Sequence, residues 1–147
     1  IDKYWEFKGE TEYDMHYKIL PDGCTDFIFS IEEPSQPLNG EMLMQPYRFY
    51  FVGPMRVYSE LVTRSTRLHM MGVRFSPCGL AAFARMPLGE FTDTRVNASE
   101  LNDHFAEMLC EKESLQERIH IIDRHLIARL PGLQPVDPQI IRATDLI

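Results

Sequence analysis

Hydrophobic spacing changes period once along this chain, at Ser76-Pro77, and that change limits the folds open to it. Before it, apolar residues recur at every second position. Tyr13, Met15, Tyr17 and Ile19 alternate with Asp14, His16 and Lys18, and Phe27, Phe29 and Ile31 resume the alternation after a turn. A period of two sends successive side chains to opposite faces of a half-buried strand. After the break, spacings of three and four take over, clearest in Leu115, Ile119, Ile122, Leu126 and Leu130. That spacing is one face of a helix. Strands therefore precede helices, and the expected class is α+β, a β-rich sandwich, jelly roll or barrel followed by a helical region.

Turn chemistry divides the first half. Pro21 presets the first position of a turn and Gly23 accepts the positive φ that reverses the chain, so residues 13–31 are predicted to form a β-hairpin. Residues 32–40, with two Pro, one Ser and one Asn, are expected to be a loop. Residues 47–52 are aromatic-rich and strand-like, ended by Gly53-Pro54. Met55, Val57 and Leu61 suggest another strand, interrupted by Ser59, and the polar run 63–67 turns the chain into a strand over 68–75.

Capping residues organise the second half. Ser76 is a good N-cap and Pro77 suits the first helical position, which predicts a helix to about residue 86. Asn97-x-x-Glu100 and Ser114-x-x-Glu117 have the form of capping boxes. The second opens a stripe running roughly 24 Å along a helix at 1.5 Å per residue. By sequence it serves as intramolecular core, as a subunit interface, or as both, widened by Ile121 and Ile127. Asp137-Pro138 is expected to open a fourth helix.

The composition excludes several classes. With 147 residues, 44% of them hydrophobic and 25% charged, the chain can bury a core without disulfide or metal staples. No apolar run approaches the roughly 18 residues of a membrane span. Net charge is −7, with 8 Lys and Arg against 11 Asp and Glu in residues 1–75 and 7 against 11 in residues 76–147. Nucleic-acid affinity rests on clustered Lys and Arg, which neither half provides. Cys24, Cys78 and Cys110 are odd in number and widely spaced, which fits a reducing compartment, so the cytoplasm is expected. The five histidines form neither an H-x-H nor an H-x-x-x-H pair, so no metal or other cofactor is expected. Neither a Gly-x-Ser-x-Gly elbow nor a phosphate-binding glycine loop occurs, so catalysis is not expected. Cys78, at a predicted helix start, and Cys24 are the thiols to weigh for redox sensing against a buried structural role.

Three stretches carry a family resemblance. They are Leu20-Pro21-Asp22-Gly23 within residues 18–29, Gly72-Val73-Arg74-Phe75-Ser76-Pro77-Cys78-Gly79 within residues 72–83, and Pro87-Leu88-Gly89-Glu90-Phe91-Thr92-Asp93. Together they resemble the N-terminal domain of a large group of AraC-type transcription regulators, with Cys78 where that group usually has Gly. The resemblance implies a β-rich, cupin-like sensor portion over residues 1–75 and a helical dimerisation portion over 76–136. It also implies that residues 137–147 open the first helix of a helix-turn-helix domain, through which alone DNA would be contacted. The partners so implied are a second copy, paired through Leu115, Ile119, Ile122, Leu126 and Leu130, and a small-molecule effector, with no membrane involved. The alternatives are a small cupin-like enzyme and a free-standing ligand-binding module.

An effector pocket in the β half would be walled by aromatics drawn from Trp5, Tyr17, Phe29, Tyr50 and Phe51, since apolar walls with a few polar groups are the usual make-up of such sites. Asp26 and Arg74 stand among apolar neighbours on predicted strands. They are a structural ion pair, two solvent-facing ends, or a pair that orients the effector in the β pocket.

Overall fold

A computed structural model of the chain describes residues 1–31, 37–77, 79–82, 88–98, 103–128, 137–139 and 142. Its strands are β1 (Lys3–Glu10), β2 (His16–Ile19), β3 (Thr25–Ser30), β4 (Leu38–Asn39), β5 (Met42–Leu43), β6 (Arg48–Val52), β7 (Ser59–Val62), β8 (Arg67–Phe75) and β9 (Arg95–Asn97). They form two antiparallel sheets, one of five strands in the order β1-β8-β3-β6-β9 and one of four in the order β2-β7-β4-β5. Two helices follow, α1 (Asp103–Cys110) and α2 (Leu115–Ile127). The fold is therefore a β-rich domain followed by a helical region, as the change of period predicts. No helix among the described residues is long and apolar enough to cross a membrane.

The five-stranded sheet is covered on both faces. Alternation along β3 and β6 sends Ile28, Tyr50 and Val52 toward the second sheet, where they meet Met44, Met70 and the partly buried Trp5. Phe29, Phe49, Phe51, Met71 and Val73 point the other way and pack with Phe105, Leu109, Ile122 and Leu126 of the helices. β3 is buried on both faces, with five of its six residues inaccessible, including the polar Thr25, Asp26 and Ser30.

Several local expectations need correction. Residues 13–31 are not a hairpin, because β2 pairs with β7 in one sheet while β3 pairs with β6 and β8 in the other. The turn chemistry itself is present: Gly23 has φ +72° and the Asp22 carboxylate accepts the N–H of Cys24 at 3.0 Å. It redirects the chain between sheets, since both partners that β3 needs come from later strands. The strand expected around Met55 begins only at Ser59, leaving Val57 exposed. After Ser76-Pro77 the described backbone is a 3₁₀ turn at Gly79–Ala82, with residues 83–86 of the expected helix outside the described residues. Asn97 ends a strand beside β6, and its box partner Glu100 lies outside the described residues. Because β9 rejoins the sheet, the strand-rich portion continues past residue 75.

The other caps form as read. Ser114 accepts the Glu117 N–H at 3.2 Å, and the Glu117 carboxylate receives the Ser114 N–H at 3.2 Å. The Asp137 carboxylate accepts the N–H of Gln139 at 2.8 Å, where residues 138 and 139 are helical.

Candidate functional site

Strand register brings three of the expected site residues together. Asp26 lies directly across from Arg74, and Trp5 across from Gly72, on the face turned to the second sheet. Oδ1 of Asp26 accepts from Nε of Arg74 and from Nε1 of Trp5, each at 3.1 Å, while Oδ2 accepts from Nη2 of Arg74 at 2.9 Å. Nη1 of Arg74 donates to Asp22 at 2.6 Å. The hydrogen bonds to Asp26 hold the Arg74 guanidinium more firmly protonated than usual, against the opposing effect of burial. All three nitrogens of Arg74 are thus engaged by carboxylates. Asp26 and Arg74 form an ion pair, with Trp5 completing the carboxylate's shell.

The remaining pocket candidates are dispersed. Tyr50 is buried between the sheets, its hydroxyl accepting the N–H of Gln45 at 2.6 Å. Phe29 and Phe51 have the opposite parity and face the helices, Phe29 stacking on Phe49 at 5.4 Å and Phe51 meeting Phe91 edge-on. Tyr17 belongs to the second sheet, 38% exposed and edge-on to Phe7. The seven residues therefore do not wall one pocket, because a period of two divides Phe29 and Phe51 from Asp26 and Tyr50.

The helical stripe supplies intramolecular core. Ile122 and Leu126 are buried in the core under the five-stranded sheet, with Leu115 and Ile119 partly buried against it. The sheet's second face is apolar and must be covered, so these side chains pack within the chain. Leu130 lies outside the described residues.

The contact between sheet and helix includes a polar cluster that local sequence patterns do not reveal. Arg118 is only 3% exposed on α2. Its Nε donates to the Leu109 carbonyl at 3.2 Å, its Nη1 to Glu6 of β1 at 3.2 Å and its Nη2 to the Lys112 carbonyl. The same Glu6 oxygen lies 3.0 Å from Nε2 of the buried His69. Two residues toward the start of β1, the Tyr4 hydroxyl donates to Asp123 of α2. Burial, then Asp123, pushes the Tyr4 hydroxyl well above the usual phenol range.

A cavity of about 710 Å³ opens beside β9. Met42, Tyr58 and Ser59 line it, with Arg95, Glu41, Glu60 and Asp93 as its charged groups. Arg95 follows from the same sheet register: it pairs with Val52, which pairs with Asp26, so it faces the second sheet in the row that holds Arg74. Nε of Arg95 donates to Asn39 of β4 at 2.8 Å, and Oγ of Ser59 lies 3.4 Å from the same amide oxygen. Burial lowers the hold of Arg95 on its proton. Sequence reasoning missed this cavity because its walls come from three separate stretches, none of which has a motif of its own.

Burial, then Asp22, pushes the Cys24 thiol up, away from the reactive thiolate, and Cys78 lies outside the described residues. His16 faces Glu60 at 3.2 Å and His125 stacks on Phe105 at 4.2 Å. Among the described residues, no three His, Cys, Asp or Glu side chains are grouped to hold a metal.

The family described as "Domain of unknown function (DUF6597)" matches residues 1–97, a segment that ends on the last residue of β9. No curated protein matches the chain.

Proposed function

The chain belongs to the DUF6597 family, and we propose that it is the effector-sensing and dimerisation domain of an AraC-type transcription regulator. The observation that carries this reading is the two-sided use of the five-stranded sheet. One face closes on the second sheet beside a cavity, and the other is covered by α1 and α2. A small molecule in the cavity and a helical layer that meets a second copy would share that sheet. Residues 72–77, which hold Arg74, and the turn at Pro21-Asp22-Gly23, whose Asp22 accepts from Arg74, belong to the stretches that support the resemblance.

Pairing through α2 uses its outer edge, where Ile127 is 60% exposed. DNA contact belongs to a helix-turn-helix domain beyond the described strands and helices, and cytoplasmic location follows from that role. No catalysis is part of the proposal.

The test is a fusion of residues 1–147 to a DNA-reading module that holds its operator only when paired. Restored operator occupancy, changed by a metabolite that also raises the melting temperature, is the expected result. A folded fusion that stays monomeric and inactive would overturn the regulator reading in favour of a free-standing ligand-binding module.

A further inference from the structure

Arg74 is committed to two carboxylates, whereas Arg95 is not. Nε of Arg95 meets Asn39 and one Nη lies 3.7 Å from the sulfur of Met55, and among the described residues no carboxylate forms an ion pair with it. A guanidinium presents five N–H donors in a planar fork that fits a carboxylate in two-pronged fashion. Nη1 has no hydrogen-bond partner among the described residues, and Arg95 lines the cavity. Its position is set, because the Asn39 amide that receives Nε is itself only 3% exposed.

The other charges in the cavity differ in how they are answered. Asp93 is held by Arg56, whose Nε donates to it at 2.9 Å. Glu60 faces His16. Glu41 has no partner among the described residues. A cation without an ion pair, though within the field of Asp93, and a carboxylate without a partner therefore line one cavity without pairing with each other, and Met42 and Tyr58 supply apolar wall beside them. The volume, about 710 Å³, lies within the range of small-molecule sites.

We propose that this cavity binds a small zwitterion of the α-amino-acid class. Its carboxylate lies on the Arg95 fork, its ammonium faces Glu41, and an apolar side chain rests against Met42 and Tyr58. Glu41, Glu60 and Asp93 repel molecules that carry several negative charges. The regulatory meaning of this site rests on the proposed function, but the binding itself does not.

The experiment is thermal unfolding of the chain with L-phenylalanine, L-leucine or L-methionine, beside 3-phenylpropionate and phenethylamine, which lack the ammonium and the carboxylate respectively. A rise of about 5 °C with one of the amino acids, absent with both analogues, is expected at saturating ligand. The rise should disappear in Arg95→Gln and in Glu41→Gln. Glu41 is exposed, so that variant keeps its fold and decides the matter even if Arg95→Gln does not fold. No rise with any of the three amino acids, an equal rise with 3-phenylpropionate, or an undiminished rise in Glu41→Gln would overturn the proposal. No rise with the amino acids, together with a different metabolite that alters pairing of the operator fusion equally in wild type and Arg95→Gln, would overturn this site and leave the regulator reading intact. An amino-acid rise in a chain whose fusion never pairs would do the reverse.

Discussion

The indole of Trp5 lies on the backbone of Gly72. The two residues are register partners in β1 and β8, and a Cβ built on Gly72 would sit 2.1 Å from Cε2 of the ring. No other residue type leaves room for that ring, whose Nε1 in turn donates to Asp26. Gly72→Ala is expected to drive the indole off the strand and cost about 2 kcal/mol, as overpacking does. Trp5 is the only tryptophan, so emission reports on this site alone and should shift to longer wavelength. Unchanged emission and denaturation midpoint would contradict the packing described.

Arg74→Ala should lower the stability of the unliganded chain by about 3 kcal/mol, since it leaves Asp26, 7% exposed, without its two-pronged partner. A double-mutant cycle with Asp26→Ala should show that the two losses are not additive. Losses that simply add would mean that the pair does not act as a unit.

Arg118→Met is expected to cost about 3 kcal/mol, because Glu6 loses a buried donor and two carbonyls lose theirs. Amide hydrogen exchange should accelerate in α2 before it does in β3. Uniform acceleration through both elements would argue against a local role in docking the helix.

Ile122→Asp and Ile127→Asp should behave differently although they lie on the same helix. The first places a charge in a core position that is 2% exposed and should cost about 4 kcal/mol or unfold the chain. The second should leave the melting temperature nearly unchanged and, on the pairing proposed through α2, lower the dimer fraction in sedimentation. A fully dimeric Ile127→Asp would place the pairing surface away from α2.

Alkaline pH should destabilise the fold. Burial pushes the Cys110 thiol from an ordinary 9.0 up to about 11, so between those values the unfolded chain binds fewer protons than the folded one and stability falls as pH rises. Tyr4 and Tyr50, also raised first by burial, add to the decline. Melting temperatures from pH 8 to 11 should fall less steeply in Cys110→Ala than in wild type; identical slopes would contradict this.

Period and caps were readable from sequence because they depend on neighbours. Ser114 and Glu117 are three residues apart and find each other in any helix that starts there. Strand pairing was not readable. Pro21-Asp22-Gly23 specifies a change of direction but not the strand that follows it, and β3 takes partners from residues 48–52 and 67–75. The two-residue β4 and β5 and the three-residue β9 are too short to show alternation. The same limit applies to the candidate site. Asp26 and Arg74 were legible as polar residues among apolar ones, whereas Arg95 becomes notable only once Asn39, from another sheet, is placed beside it.

β1 is anchored on both sides. Trp5 reaches the interior between the sheets, while Tyr4 and Glu6 hold α2 from the opposite face. Sliding this strand by one residue would exchange the two sets, placing a carboxylate in the apolar interior and an indole against Arg118. Its alignment on β8 is thereby keyed from both sides, and an edge strand that would otherwise be free to slip has one position open to it.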